Sequence, residues 1–318
     1  MKRILMVLAV CLGAGQGALA QEQLKYSDFE SWITRSVKES RLVGGATHTL
    51  YEVGPAQVWP QNSPYTNQGG SPWGTSNAYA KVAGIVKSNA SVYADKHGTG
   101  KCVKLQTHIV KCKAVGIINI SVLAAGSLFT GELVEPITSS SNPMSKMNAG
   151  IAFTKRPKAL TFDYKVQLSG AAGRIRETGF SRKKEIAGKD QCEALLLLQK
   201  RWEDSDGNIH ARRVGTMWKR FTSNTAGWKE NQSFAIHYGD ISKDSYFRSY
   251  MALQTEDSER IYYAKNSKGK LVKVIEDGWA DVDETPTHMI IYFNSSHGGA
   301  YVGSPGNTMW VDNVKLEY

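Results

Sequence analysis

The last eleven residues, Thr308 to Tyr318 (TMWVDNVKLEY), constrain the fold more than any other stretch. Read with a period of two, Trp310, Asp312, Val314, Leu316 and Tyr318 fall on one face of a strand. Met309, Val311, Asn313, Lys315 and Glu317 fall on the other. The first row is apolar except for Asp312. A carboxylate on a buried row needs a partner, because an unpaired charge is expensive to remove from water. The pattern predicts a terminal strand pinned into the sheet of an all-β protein. It points away from folds whose chemistry sits on loops that follow the strands.

Other segments repeat the alternation. In residues 159–168, Leu160, Phe162, Tyr164, Val166 and Leu168 alternate with polar side chains, as in a strand with one buried face. Residues 48–53 and 233–238 read the same way. Residues 287–294 (THMIIYFN) are β-branched and aromatic and lie between Pro286 and a Ser-Ser turn. Residues 191–202 (QCEALLLLQKRW) carry helix-favouring Leu and Ala. Asp206-Gly207 then follows as in a hairpin, with residues 210–218 able to pair back, so this segment is read as a strand. Residues 32–40 are the best helix candidate, with Ile33 and Val37 four apart. The expected architecture is one jelly-roll β-sandwich over residues 21–318, with a short N-terminal helix at one end. Thirty glycines, eight tryptophans and fourteen tyrosines suit a turn-rich, aromatic-rich sandwich.

Residues 1–20 read as a secretory signal: Lys2 and Arg3, an apolar run from Ile4 to Leu12, then Ala18-Leu19-Ala20. Val10 before Cys11 does not suit lipid attachment. No later run has the ~18 apolar residues of a membrane helix. The expected product is exported: periplasmic, cell-surface or secreted. The formal charge is +10, and removing Lys2 and Arg3 leaves +8. Export takes nucleic acid off the expected partners, and scattered lysines that aid solubility are the simpler account of the charge. Export also permits disulfides. Cys102 and Cys112 could bridge two paired strands and leave Cys192 free.

Several short motifs occur together: Phe29-Glu30-x-Trp32, Trp73-Gly74-Thr75-Ser76-Asn77, residues 126–131 (GSLFTG), Phe153-Thr154-x-x-Pro157, Tyr164-Lys165, and residues 294–314 (NSSHGGAYVGSPGNTMWVDNV). In this order they resemble the putative carbohydrate metabolism domain family of secreted gut-bacterial proteins, from about Phe29 to Tyr318. The resemblance implies a jelly roll similar to galactose-binding and carbohydrate-binding modules. It implies no particular activity. The resemblance also implies that some members carry an extra immunoglobulin-like module at the N-terminus; none is expected within these residues.

Sugar recognition needs aromatic faces for the apolar side of a pyranose and planar polar groups for its hydroxyls. Both occur near two glycine-rich stretches, residues 68–77 and 295–307. The candidate carbohydrate-binding residues are Trp59, Tyr65, Trp73, Asn77, His297 and Tyr301, with Trp59, Trp73 and Tyr301 as the platform. The plainer reading makes each ring part of the core, and Trp202, Trp218 and Trp310 more so, because they lie in alternating runs. In jelly-roll modules a calcium ion can tie the first strand to the last. Asp28, Glu30 and Asp312 are its candidate ligands, in a structural role. Asp312 could equally accept backbone N–H bonds or pair with an Arg or Lys.

Enzyme signals are weak. Glu276, Asp277, Asp281, Asp283 and Glu284 crowd one segment, as a solvated acidic loop does, rather than flanking a scissile bond. No G-x-S-x-G elbow, phosphate loop or zinc spacing occurs. The expected function is a non-catalytic protein that binds a poly- or oligosaccharide. A glycan-degrading hydrolase or lyase is the first alternative, and a protein-binding adhesin or scaffold the second.

Overall fold

The computed structural model describes residues 20–67, 70–114, 118–139, 141–179 and 182–318. The expected signal segment lies outside them, apart from Ala20. Nearly all regular structure among the described residues is strand, and no helix there is long and apolar enough to cross a membrane.

The centre of the fold is a β-sandwich of two sheets, with further two- and three-stranded sheets beside it. The smaller of the two runs in the order Lys229–Ala235, Ala159–Gln167, Thr308–Glu317, Gly100–Gln106, Val92–His97, and Gln21–Gln23 also pairs with Thr308–Glu317. The larger has Ser127–Leu133, His288–Asn294, Cys192–Glu203, Ile209–Phe221 and Leu271–Trp279 as successive neighbours. The chain alternates between the sheets after most strands, which is the winding of a jelly roll. The crossing after residue 235 is abrupt. Ala235 still pairs with Ala159 of the smaller sheet, whereas His237–Tyr238 pairs with Thr216 and Gly215 of the larger one.

The leucine-rich strand shows why its sequence looked helical. Ala194, Leu196 and Leu198 enter the core between the sheets, while Leu195 and Leu197 enter a second cluster on the opposite face. That cluster is closed by Trp218, Ile241, Met251 and Tyr262, from the neighbouring strand and the long connection that follows it. A strand buried on both faces shows no alternation, so only its length and the turn after it identify it.

Residues 32–38 are a strand, not the expected helix. Trp32–Lys38 pairs antiparallel with Thr47–Val53 and parallel with Gln57–Trp59. The spacing of Ile33 and Val37 fits a period of two as well as 3.6. β-branched Ile33, Thr34 and Val37 favour the strand. Between the two apolar residues lies Arg35, buried and held by Glu52 and Glu135.

The terminal strand is in place, but it does not keep one phase. Asn313 has φ +51, and the pairing with Ala159–Gln167 slips between Thr161 and Asp163. This bulge exchanges the faces. Met309 and Val311 point into the core before it, and Val314 and Leu316 after it. Trp310 and Asp312 therefore lie on the outer side of the smaller sheet.

Cys102, Cys112 and Cys192 are all free thiols. The strands carrying Cys102 and Cys112 do not pair with each other: Cys102 lies opposite Asp95 in the sandwich, and Cys112 opposite Ile120 in a separate hairpin. The Cys102–Cys112 bridge is therefore not formed.

Candidate functional site

The six expected sugar contacts are distributed over separate places. Trp73 is fully buried, its ring set edge-on to Phe29 and its indole N–H donated to the Lys25 carbonyl at 3.2 Å. It offers no face to a ligand. Asn77 is buried and fully engaged: its amide donates to the Tyr51 and Val92 carbonyls and accepts the Ser91 and Val92 N–H groups. Trp59 and Tyr65 meet edge-to-face at 5.3 Å, with the Arg35 guanidinium 5.4 Å from the Tyr65 ring. His297 accepts the Gln191 N–H beside Asp190, and Tyr301 lines a cavity discussed below. The platform of Trp59, Trp73 and Tyr301 fails because every residue of the short strand Trp73–Thr75 is buried.

The exposed aromatic lies elsewhere. Trp202 is 42% exposed, the one aromatic among the strongly exposed large apolar side chains of the described residues. It ends the leucine-rich strand, and the hairpin register sets it opposite His210. The two rings lie 5.6 Å apart and nearly parallel, at 15°. Asp277 comes from the next strand over, which runs parallel to Ile209–Phe221. Its carboxylate meets His210 Nδ1 at 2.8 Å, and Asp204 meets Nε2 at 3.2 Å. Three adjacent strands thus present an indole, an imidazole and a carboxylate side by side.

The turn beside them is stiff. One Asp204 oxygen accepts the N–H groups of Asp206 and Asn208, and the other accepts the Asn208 amide. Gly207 sits at φ +86, a conformation that favours glycine. The Asn208 bonds, above all, hold the Asp204 carboxyl well below the usual range. His210 moves the other way: burial disfavours its charge, but the bonds to Asp204 and Asp277 outweigh that and raise it. Glu203 accepts the Ser267 N–H and hydroxyl at 2.7 Å each, so a second loop braces the hairpin. The result is an accessible ring beside an imidazole held by fixed carboxylates, one of which also takes the Asn208 amide.

The supposed acidic loop is not one. Glu276 is buried, paired with Arg213 and accepting the Gln199 amide at 2.6 Å. Asp277 clamps His210, and Glu284 pairs with Lys200 at 2.9 Å.

A second unit with the same parts lies on the outer side of the smaller sheet. Trp228 stacks on His97 at 3.8 Å and 18°. His97 Nδ1 meets Asp312 at 2.7 Å, and Nε2 meets Glu230 at 3.1 Å. Burial pushes the Asp312 carboxyl up to about 6, against the pull of His97. For His97, burial is outweighed by the two carboxylates, which raise it. Nearby, the Trp310 indole donates to Asp95 at 2.8 Å, and Lys165 Nζ lies 4.0 Å from the Trp310 ring centre.

Asp312 thus finds its partner in a histidine. Asp28 and Glu30 are exposed, and Glu30 accepts the Lys101 N–H at 2.9 Å. Asp28, Glu30 and Asp312 do not form a ligand group. The first and last strands are joined by direct pairing of Gln21–Gln23 with residues 315–317. Among the described residues, His97, Asp163 and Glu230 bring one ligand atom each within 4.8 Å of one another. Both Asp163 oxygens already accept, from the Asn231 N–H at 2.6 Å and the Asn313 amide at 2.8 Å.

The third feature is a cavity of about 460 Å³ between two hairpins, Ala78–Val82 with Ile85–Asn89 and His108–Ala114 with Ile118–Ala124.

An all-β sandwich with an exposed aromatic–carboxylate surface is the class this geometry defines. Residues 29–317 match the model of the family described as "Putative carbohydrate metabolism domain", and the chain belongs to that family. No curated protein matches the chain. Among solved structures it is similar to one described as a "putative glycoside hydrolase" from Bacteroides thetaiotaomicron VPI-5482. The two share 18% identity over 86% of this chain and 76% of that one, with a TM-score of 0.46.

Proposed function

We propose that this protein is exported and binds a glycan without cleaving it, through the surface around Trp202. The observation that carries the reading is the exposed Trp202 ring, backed by His210, whose two nitrogens meet Asp204 and Asp277. A pyranose stacks its C–H face on such a ring, while fixed carboxylates and amides accept or donate to its hydroxyls. Membership of a carbohydrate-related family agrees with this chemistry. The surface suits binding more than cleavage. Asp204 is held ionised, so it has no proton to donate to a leaving group, and both carboxylates are engaged with one imidazole.

Retention on immobilised plant and host glycans tests the reading, with assays for reducing ends and unsaturated sugars on the same samples. Retention without release, lost in Trp202→Ala, is the expected result. Retention that Trp202→Ala leaves unchanged would refute it.

One observation favours cleavage as the second reading. A carboxyl raised to about 6, such as Asp312, has the proton affinity of a general acid. Asp312 is 4% exposed, however, and its oxygens already meet His97 and Asn313. Release of sugars that stops in Asp312→Asn would favour this second reading.

A further inference from the structure

The cavity between the two hairpins has a chemistry unlike that of the Trp202 surface. Its walls come from one face of each hairpin: Ala78, Ala80 and Val82 from the first, Val110, Ile120 and Val122 from the second. The residues alternate along each strand, so a whole apolar face of each hairpin lines the same space. In the first hairpin the opposite face is already committed, because Tyr79 packs with Val37, Leu50 and Val86. Each hairpin forms its own two-stranded sheet. A lone hairpin is marginal in water and needs its apolar face covered.

Most polar groups at the cavity already have partners. Lys87 offers only its stem, since its ammonium pairs with Glu39 at 2.5 Å. On the sandwich side, Arg260 pairs with the buried Glu193 while its Nη1 is left without a hydrogen-bond partner among the described residues, and the Tyr292 hydroxyl donates to Ser127 at 3.0 Å. A sugar ring buried here would leave most of its hydroxyls without partners, which is unfavourable away from water. A volume of about 460 Å³ lies within the range of small-ligand sites, roughly 300–1,000 Å³. Long walls of Ala, Val and Ile match a flexible aliphatic chain.

We propose that this cavity binds the single aliphatic chain of an amphiphile, independently of the glycan surface. A free fatty acid and the acyl chain of a glycolipid share that chemistry. The cavity carries its own reporter. Cys112 lines it and is half-buried, whereas Cys102 and Cys192 are fully buried.

The test is the rate of Cys112 alkylation by N-ethylmaleimide in the full chain, read by peptide mass. It is run with laurate, with dodecyl maltoside, with maltose and with 2-naphthol, the amphiphiles below their micellar concentrations. We expect laurate or dodecyl maltoside to slow labelling about tenfold, and maltose and 2-naphthol to leave it unchanged. Protection by laurate alone assigns a free acid, and protection by the maltoside alone a glycolipid. Labelling that neither chain slows, or that 2-naphthol slows equally, overturns the proposal. Ala80→Trp, which fills the cavity, should abolish protection while retention on glycan persists. If that variant does not fold, the wild-type labelling rates still decide.

Discussion

The two tryptophan–histidine–carboxylate units use the same parts for different ends. In each, an indole stacks on an imidazole whose two nitrogens meet two carboxylates. They differ in access. His97 and Asp312 keep 16% and 6% of their side-chain surface and only Glu230 is open, at 53%, whereas His210, Asp204 and Asp277 keep 27%, 33% and 40%. The first unit joins His97, at the turn of the Val92–His97/Gly100–Gln106 hairpin, to Asp312 of the terminal strand, with Trp228 stacked over the imidazole. The second flanks the turn of the leucine-rich hairpin, with its indole left open to solvent. Burial turns the arrangement into a structural tie, and exposure leaves a ring edge and carboxylate oxygens for a ligand. The inventory of residues is therefore a poor guide to function unless their position in the sheet is known.

The largest expected difference between the units is in stability. Asp312→Ala strands the His97 Nδ1 donor and should destabilise by roughly 1–3 kcal/mol. Asp277→Ala should change stability by less than about 1 kcal/mol, as exposed pairs do. Thermal melts of both variants check this, and equal shifts would erase the distinction. In binding the order reverses. Trp202→Ala should weaken glycan affinity about tenfold or more, roughly 1.4 kcal/mol, with little change in melting temperature. Trp228→Ala should lower the melting temperature and keep affinity within about twofold. A binding assay beside each melt separates the two roles.

A smaller effect concerns pH. His210 is raised above its ordinary value of 6.5, so its contribution to stability is fully present below that pH. It is lost as pH rises through the folded value. An NMR titration of the His210 ring should show a midpoint above 6.5 that falls in Asp277→Asn. A midpoint at or below 6.5 in the wild type would contradict the clamp. The smallest effect expected is from a chelator. Asp312 is partnered by His97 and the terminal strands pair directly, so EDTA should leave the melting curve in place. A drop would show that an ion contributes.

The strands at residues 159–168 and 308–317 were legible from their alternation, and 288–294, which is buried on both faces, from its β-branched and aromatic residues between Pro286 and the Ser-Ser turn. Even there the sequence misassigned a row: the bulge at Asn313 exchanged the faces, and a left-handed Asn is a weak signal among fifteen left-handed glycines of the described residues. Trp73 looked like loop because glycine, proline and serine surround it, yet it fills the core beneath the strand it begins. Trp202 looked like core because it follows four leucines. The signal that would have found it was present. The Asp206-Gly207 turn fixes the hairpin register, the register sets Trp202 opposite His210, and strand ends beyond a turn lie at the rim. Asp277 was not findable this way, because its parallel pairing joins segments about 65 residues apart and long-range pairing leaves no local trace.

The indole N–H resonances of the eight tryptophans test the central claim most directly. On titration with a retained oligosaccharide, the account predicts that the Trp202 signal shifts most, while those of buried Trp73 and Trp218 stay in place. A titration that leaves Trp202 unmoved while another indole shifts would contradict it.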